Sequence, residues 1–148
     1  MKIHALLLAD SAQAVDGKLY VLGGAWNMLR FPEFPASLMV GIAVAIDVEW
    51  AETNQRHHLD IHFEDARGTA MDPRIGADFE AGRPAGAMAD AELRIVMAVN
   101  GPVAIPAPGE YAAVASIGGQ ELARSRFQAI LAPLGQPSAA PGEGQLRN

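Results

Sequence analysis

The chain has 148 residues, half of them hydrophobic, with a formal net charge of −6 and no cysteine. That length suits one domain around one core, and the apolar content excludes disorder of the whole chain. The acidic balance disfavours nucleic-acid and anionic-membrane binding; the missing thiols exclude disulfide frameworks, thiolate zinc sites and cysteine nucleophiles.

The first residues imitate a secretory signal, with Lys2, an apolar run Ile3 to Ala9 and then Ala12-Gln13-Ala14. His4 and Asp10 bracket a stretch shorter than most signal cores, and it runs straight into a hairpin pattern. A strand and a cytoplasmic location are therefore expected, with secretion as the alternative. No apolar run approaches the length needed to span a bilayer. Ile3 to Val15 and Lys18 to Gly24 flank Asp16-Gly17, the dipeptide that best supplies the positive φ angles of a two-residue hairpin turn. Asp10 interrupts the first strand. A buried carboxylate there is a functional candidate; the structural alternative makes Asp10-Ser11 a bulge where the strand bends or changes sheet. Asn27 to Ala36 carries Pro32 and Pro35 and reads as a crossing loop pinned by Phe31 and Phe34.

Leu38 to Trp50 alternates most clearly. Val40, Ile42, Val44, Ile46, Val48 and Trp50 form an inward face; Met39, Gly41, Ala43, Ala45, Asp47 and Glu49 form the other, which is small and apolar at one end and there suits a second layer or a subunit contact. After a polar connection, His57 to Glu64 alternates with Leu59, Ile61 and Phe63 inward. Asp65 to Gly68 is a turn, short extended pieces follow at Thr69 to Met71 and Ile75 to Glu80, and Ala81 to Asp90 is a loop. Ala91 to Val99 is a strand, Gly101 to Gly109 a proline-punctuated loop, and Glu110 to Ile117 with Gln120 to Leu131 a closing hairpin. Residues 132–148 form a Pro/Gly/Ala-rich tail expected to be flexible.

About eight strands joined by turns, with almost no helix, predict an all-β antiparallel sandwich, immunoglobulin-like or related, over residues 1–131. Pro108-Gly109-Glu110-Tyr111 favours the sandwich, because a tyrosine so placed after a turn folds back to hydrogen-bond the preceding loop in immunoglobulin-like domains. The opening Leu6-Leu7-Leu8-Ala9-Asp10-Ser11-Ala12-Gln13, with Gly17-Lys18-Leu19 and Leu22-Gly23-Gly24, resembles a family of small bacterial proteins of unknown function. Trp50 with Glu52 and Asn54, Gly82-Arg83-Pro84 and the late Pro-Gly-Glu-Tyr run extend the likeness over most of the chain before the tail. The resemblance implies an all-β domain and brings no activity or catalytic residue with it.

His58, Asp60 and His62 share one face of a strand at successive separations of about 6.5–7 Å. Two imidazoles and a carboxylate are ligand types for zinc, copper or non-haem iron; the alternative is the solvent face of an amphipathic strand. Trp50, Glu52, Asn54 and Arg56 make either a sugar platform or a loop ordered against the sandwich end. Arg124, Arg126 and Gln128 form a stripe on the last strand, read as charges that guard a sheet edge, with Arg83 and Arg94 as possible extensions. No phosphate loop and no nucleophile elbow is present.

The leading expectation is a non-catalytic binding or assembly domain that takes a protein partner or associates with itself, without cofactor, nucleic acid or membrane. Its candidate interface is Leu6, Leu8, Met39, Ala43 and Ala45, since apolar surface on both faces of a strand needs two partners. The alternatives are a divalent-metal protein or metalloenzyme on His58, Asp60 and His62, and a carbohydrate or small-ligand module using Trp26 and Trp50.

Overall fold

The computed structural model describes residues 1–133; the expected tail lies, from residue 134 on, outside the described residues. Among the described residues the chain forms nine strands and one short 3-10 turn: β1 (Lys2–Val15), β2 (Lys18–Gly24), β3 (Met28–Phe31), β4 (Ala36–Val48), the turn Trp50–Glu52, β5 (Arg56–Asp65), β6 (Ala70–Glu80), β7 (Leu93–Ile105), β8 (Gly109–Ile117) and β9 (Gln120–Leu131). They pack as a four-stranded sheet in the order β2-β1-β4-β7 over a five-stranded sheet in the order β3-β9-β8-β5-β6. No helix among the described residues is long and apolar enough to cross a membrane.

The alternation of β4 and β5 builds the core as the sequence predicts. Val40, Ile42, Val44, Ile46 and Val48 meet Leu59, Ile61 and Phe63 between the sheets, and all are buried. Removing such side chains from water is the main driving force for folding, at about 1.5–3 kcal/mol for each large one. Tyr111 behaves as expected of its place after the Pro-Gly turn: its hydroxyl donates to the Ala107 carbonyl at 2.6 Å.

Three segments depart from the sequence reading. Met28–Phe31, inside the expected crossing loop, pairs in parallel with Gln128–Leu131, so the sandwich is not wholly antiparallel. The two short pieces around Pro73 are one strand, β6, whose register against β5 shifts between Ile61 and Phe63. β7 runs on through Pro102, which faces Met39. Both prolines lie on edge strands, where a missing N–H leaves no ladder bond unmade if it faces solvent.

β1 holds a bend that shapes the outer face of the four-stranded sheet. It pairs with β4 from Lys2 to Ala9, with a register shift between Ile3 and Ala5, and pairs with β2 from Ala9 onward. Beyond Ala9 the backbone crosses over Gly41, where an added Cβ would lie 2.7 Å from the Ala12 nitrogen. The bend falls at Asp10-Ser11, the place the structural reading assigned. Asp10 itself is exposed, not buried, and its carboxylate lies over Gly23.

Candidate functional site

The outer face of the five-stranded sheet carries the expected metal candidates. His58, Asp60, His62 and Glu64 alternate with the buried Leu59, Ile61 and Phe63 along β5. The structure brings His58 and Asp60 together, with His58 Nε2 3.5 Å from Asp60 Oδ1. The other ring nitrogen, Nδ1, bonds Asp78 on β6. Gly76 makes room for the imidazole, since a Cβ there would sit 3.1 Å from Nε2. The Asp78 carboxylate, more than Asp60, raises the His58 pKa above the usual histidine range. Asp78 thus engages Nδ1 by a hydrogen bond, while Asp60 stands beside Nε2 as an ion-pair neighbour.

His62 turns the other way. Its Nε2 bonds Glu64 at 3.0 Å, Arg124 donates to the second Glu64 oxygen at 2.6 Å, and Arg124 also grips Glu121 through two bonds of 2.9 Å. His62 and Arg124 together hold the Glu64 carboxyl below the usual range. Val114, on the same outer face between them in the register, is buried. Among the described residues no group of three or more His, Asp or Glu side chains is disposed to hold a metal ion.

The expected basic stripe is not continuous. Arg83 lies over the Trp50 ring at 4.2 Å and donates to the Thr53 hydroxyl and the Trp50 carbonyl, ordering the loop after β4. Arg94 is bound to Asp47. Arg124 and Arg126 stand on the part of β9 that precedes its pairing with β3, where edge charges are useful. The two tryptophans do not form one platform. Trp26 packs edge-on against Phe127, 5.5 Å between centroids, and Phe127 faces Tyr111 and through it Asp65, at the far end of β5 from the Trp50 turn.

The candidate interface needs correction. Leu8 is 1% exposed and belongs to the core, and Leu6 packs against that core. The register places Leu7 beside Ala43, on the outer face. In a run of three leucines only the partner strand decides which one points out, and here the shift between Ile3 and Ala5 sets it. Ala43 and Ala45 are also buried, flanked in register by Leu7 and Ala5 on one side and by Ala98 and Val96 on the other. The second layer expected over Gly41 is supplied by the chain's own β1. Met39 alone of the five is well exposed.

Sequence reasoning missed three features. Asp47 is buried on the outer face of β4; its Oδ1 accepts from Arg94 Nε at 2.6 Å, and its Oδ2 lies 3.2 Å from His4 Nδ1 and 3.8 Å from Lys2 Nζ. The hydrogen bond from Arg94 outweighs burial and holds the Asp47 pKa below the usual carboxylate range. A lone aspartate in an apolar strand was the available signal. The second is a cleft of about 320 Å³ where the sheets part between β6 and β7, floored by Ile42, Val44, Leu59 and Ile61 and walled by Ile75 and Met97. The third is the β2 edge. Tyr20, Val21 and Leu22 are exposed there at 56%, 37% and 72%. Leu19 to Leu22, four apolar residues without polar alternation, was its trace in the sequence.

The family model that matches covers residues 4–130 and describes a "Family of unknown function (DUF6941)". The chain belongs to this family. Membership agrees with the expected family of unknown function, and the description of DUF6941 brings no catalytic residue to compare with the geometry above. No curated protein matches the sequence. Among solved structures, one similar chain is that of the Pseudomonas fluorescens alkylpurine DNA glycosylase AlkC bound to DNA containing an abasic site analog, at 11% identity and a TM-score of 0.45. The likeness covers 86% of the DUF6941 chain and 30% of that one, so the chain spans less than a third of it.

Proposed function

We propose that this domain is a non-catalytic assembly module, which takes a further extended segment of protein onto the β2 edge of its four-stranded sheet. One observation carries the reading: β2 is an outermost strand that exposes Tyr20, Val21 and Leu22. The other outermost strands, β3, β6 and β7, each carry a device that discourages pairing. β3 has four residues and is followed by Pro32; β6 contains Pro73 between Asp72 and Arg74; β7 contains Pro102. On β2 the lone charge, Lys18, stands next to the turn and leaves Leu19 to Leu22 unguarded. The net charge of −6 favours protein over nucleic acid.

Selection of extended peptides on the immobilised domain tests this. Peptides with alternating apolar residues are expected to bind the native protein, and Val21→Pro, which removes an edge N–H, is expected to abolish capture while the β-type circular dichroism spectrum persists. Equal capture by native and variant protein overturns the reading.

The cleft between β6 and β7 favours a second reading, a module for a small apolar ligand, since its volume lies at the lower end of small-molecule sites. Decanoate is then expected to raise the thermal midpoint, and Ala77→Trp to remove the response. No response to decanoate or to other medium-chain amphiphiles sinks it.

A further inference from the structure

We infer that the segment taken at this edge is β2 of a second copy of the chain, antiparallel to the first about a two-fold axis through Val21. The inference rests on the reading of β2 as the docking edge and names its occupant. Asp16 and Gly17 have φ of 49° and 71°, and they join the paired residues Val15 and Lys18. In a two-residue hairpin of this kind the flanking pair exchanges both backbone hydrogen bonds, and bonded pairs alternate from there. Lys18, Tyr20 and Leu22 therefore direct their N–H and C=O groups to β1. Leu19 and Val21 direct theirs outward, and the strand bends at Gly23, whose φ is 62°.

Two antiparallel copies in one continuous sheet keep the same face up, so opposed residues come from the same face of the strand. Centring the pair on Val21 opposes Val21 to itself, so that its outward N–H and C=O meet their own counterparts, and sets Leu19 against Gly23 on both sides. Tyr20 then faces the partner's Leu22 in a non-bonded site, where side chains approach most closely. These are the two most exposed apolar residues of β2, at 56% and 72%. Lys18 falls opposite glycine, so the strand's single charge meets no like charge. Centring on Tyr20 instead sets Lys18 against Leu22 and runs Gly23 into the turn.

A seven-residue edge is short of the roughly 1,200 Å² that stable interfaces bury, so the dimer is weak and concentration-dependent. With −6 on each copy, it strengthens as salt screens the repulsion.

The cysteine-free chain allows a direct test. Tyr20→Cys and Leu22→Cys proteins, mixed under mild oxidation, are expected to give a disulfide-linked dimer in at least tenfold greater yield than either alone. Light scattering of the native protein is expected to show dimer growing with concentration and with salt, and Val21→Pro to remain monomeric. Dimerisation of Tyr20→Cys alone overturns the register. A native protein monomeric at millimolar concentration overturns the second copy as occupant, while peptide capture sensitive to Val21→Pro leaves the docking edge standing, so the two failures are distinguishable.

Discussion

Asn100 holds Ala12 with both of its polar atoms: Oδ1 accepts from the Ala12 amide at 2.9 Å, and Nδ2 donates to the Ala12 carbonyl at 2.8 Å. The clamp reaches across β4 at Gly41, which pairs with Asn100 in the sheet and leaves the gap through which β1 passes. A side-chain amide thus does for β1 what a neighbouring strand would do, after β1 has left the ladder. Asn100→Leu strands a buried amide and carbonyl and is expected to cost about 1–3 kcal/mol. Gly41→Ala drives a methyl into backbone and is expected to cost a similar amount, about 1–3 kcal/mol. Urea denaturation of the two variants and their double mutant checks both, and the pair should be less than additive because each loosens the same crossing.

Stability should fall in acid, and Asp47 should account for a measurable part of the fall. Its folded pKa is depressed, chiefly by the hydrogen bond from Arg94. A depressed carboxylate contributes stability above its unfolded pKa of about 4, and the contribution is lost as pH drops through the lower folded value. Asp47→Asn is expected to be less stable than the native protein at pH 7 and to lose less between about pH 4 and 2. Thermal melts at stepped pH give the difference curve; parallel curves for the two proteins contradict the assignment.

The sign is opposite for His58. Its pKa is raised, first by the bond to Asp78 and also by Asp60. The stabilisation it brings is complete below the unfolded histidine value of about 6.5 and disappears as pH rises through the folded one. Following the ring proton shifts by NMR should give a midpoint above the ordinary range, with Asp78→Asn returning it most of the way and Asp60→Asn less. Equal effects of the two substitutions count against the ranking.

Gly23 resists substitution mainly through its backbone. Its φ of 62° disfavours any side chain, and a Cβ would fall on the Asp10 carboxylate. Gly23→Ala is expected to destabilise by about 1–2 kcal/mol, chiefly through the backbone, with the exposed Asp10 side chain swinging aside, so that adding Asp10→Ala should recover little. Full recovery in the double mutant means that the positive φ is not enforced by the fold.

Local patterns carried much of the fold into the sequence. Period-two alternation in β4 and β5 was strong enough to name the core, Asp16-Gly17 marked its turn, and the Pro-Gly before Tyr111 gave the tyrosine its hydrogen bond. What stayed hidden depends on partners far along the chain. β3 is four residues among prolines and is a strand because the end of β9 offers it a ladder. Leu6, Leu7 and Leu8 are alike in sequence and differ only in which side of β1 the register against β4 assigns them. The candidate site was harder still. A His-x-Asp-x-His face is legible as a pattern, but Asp78 and Glu64, which divide its histidines between them, are found only through pairing with β6 and through rotamer choice. The exposure of β2 left only the unalternating run Leu19 to Leu22 as its trace, and such a run does not separate an edge strand from a central one.

The parallel pairing of β3 with β9 ties residue 28 to residue 128. During synthesis the second sheet therefore stays incomplete until β9 has left the ribosome, and Trp26 has no Phe127 to pack against before then. Contacts of such separation make for slow folding. For most of its elongation the nascent chain would offer β1 and β2 only each other, a pair marginal on its own, while the sheet that should back them is still unbuilt.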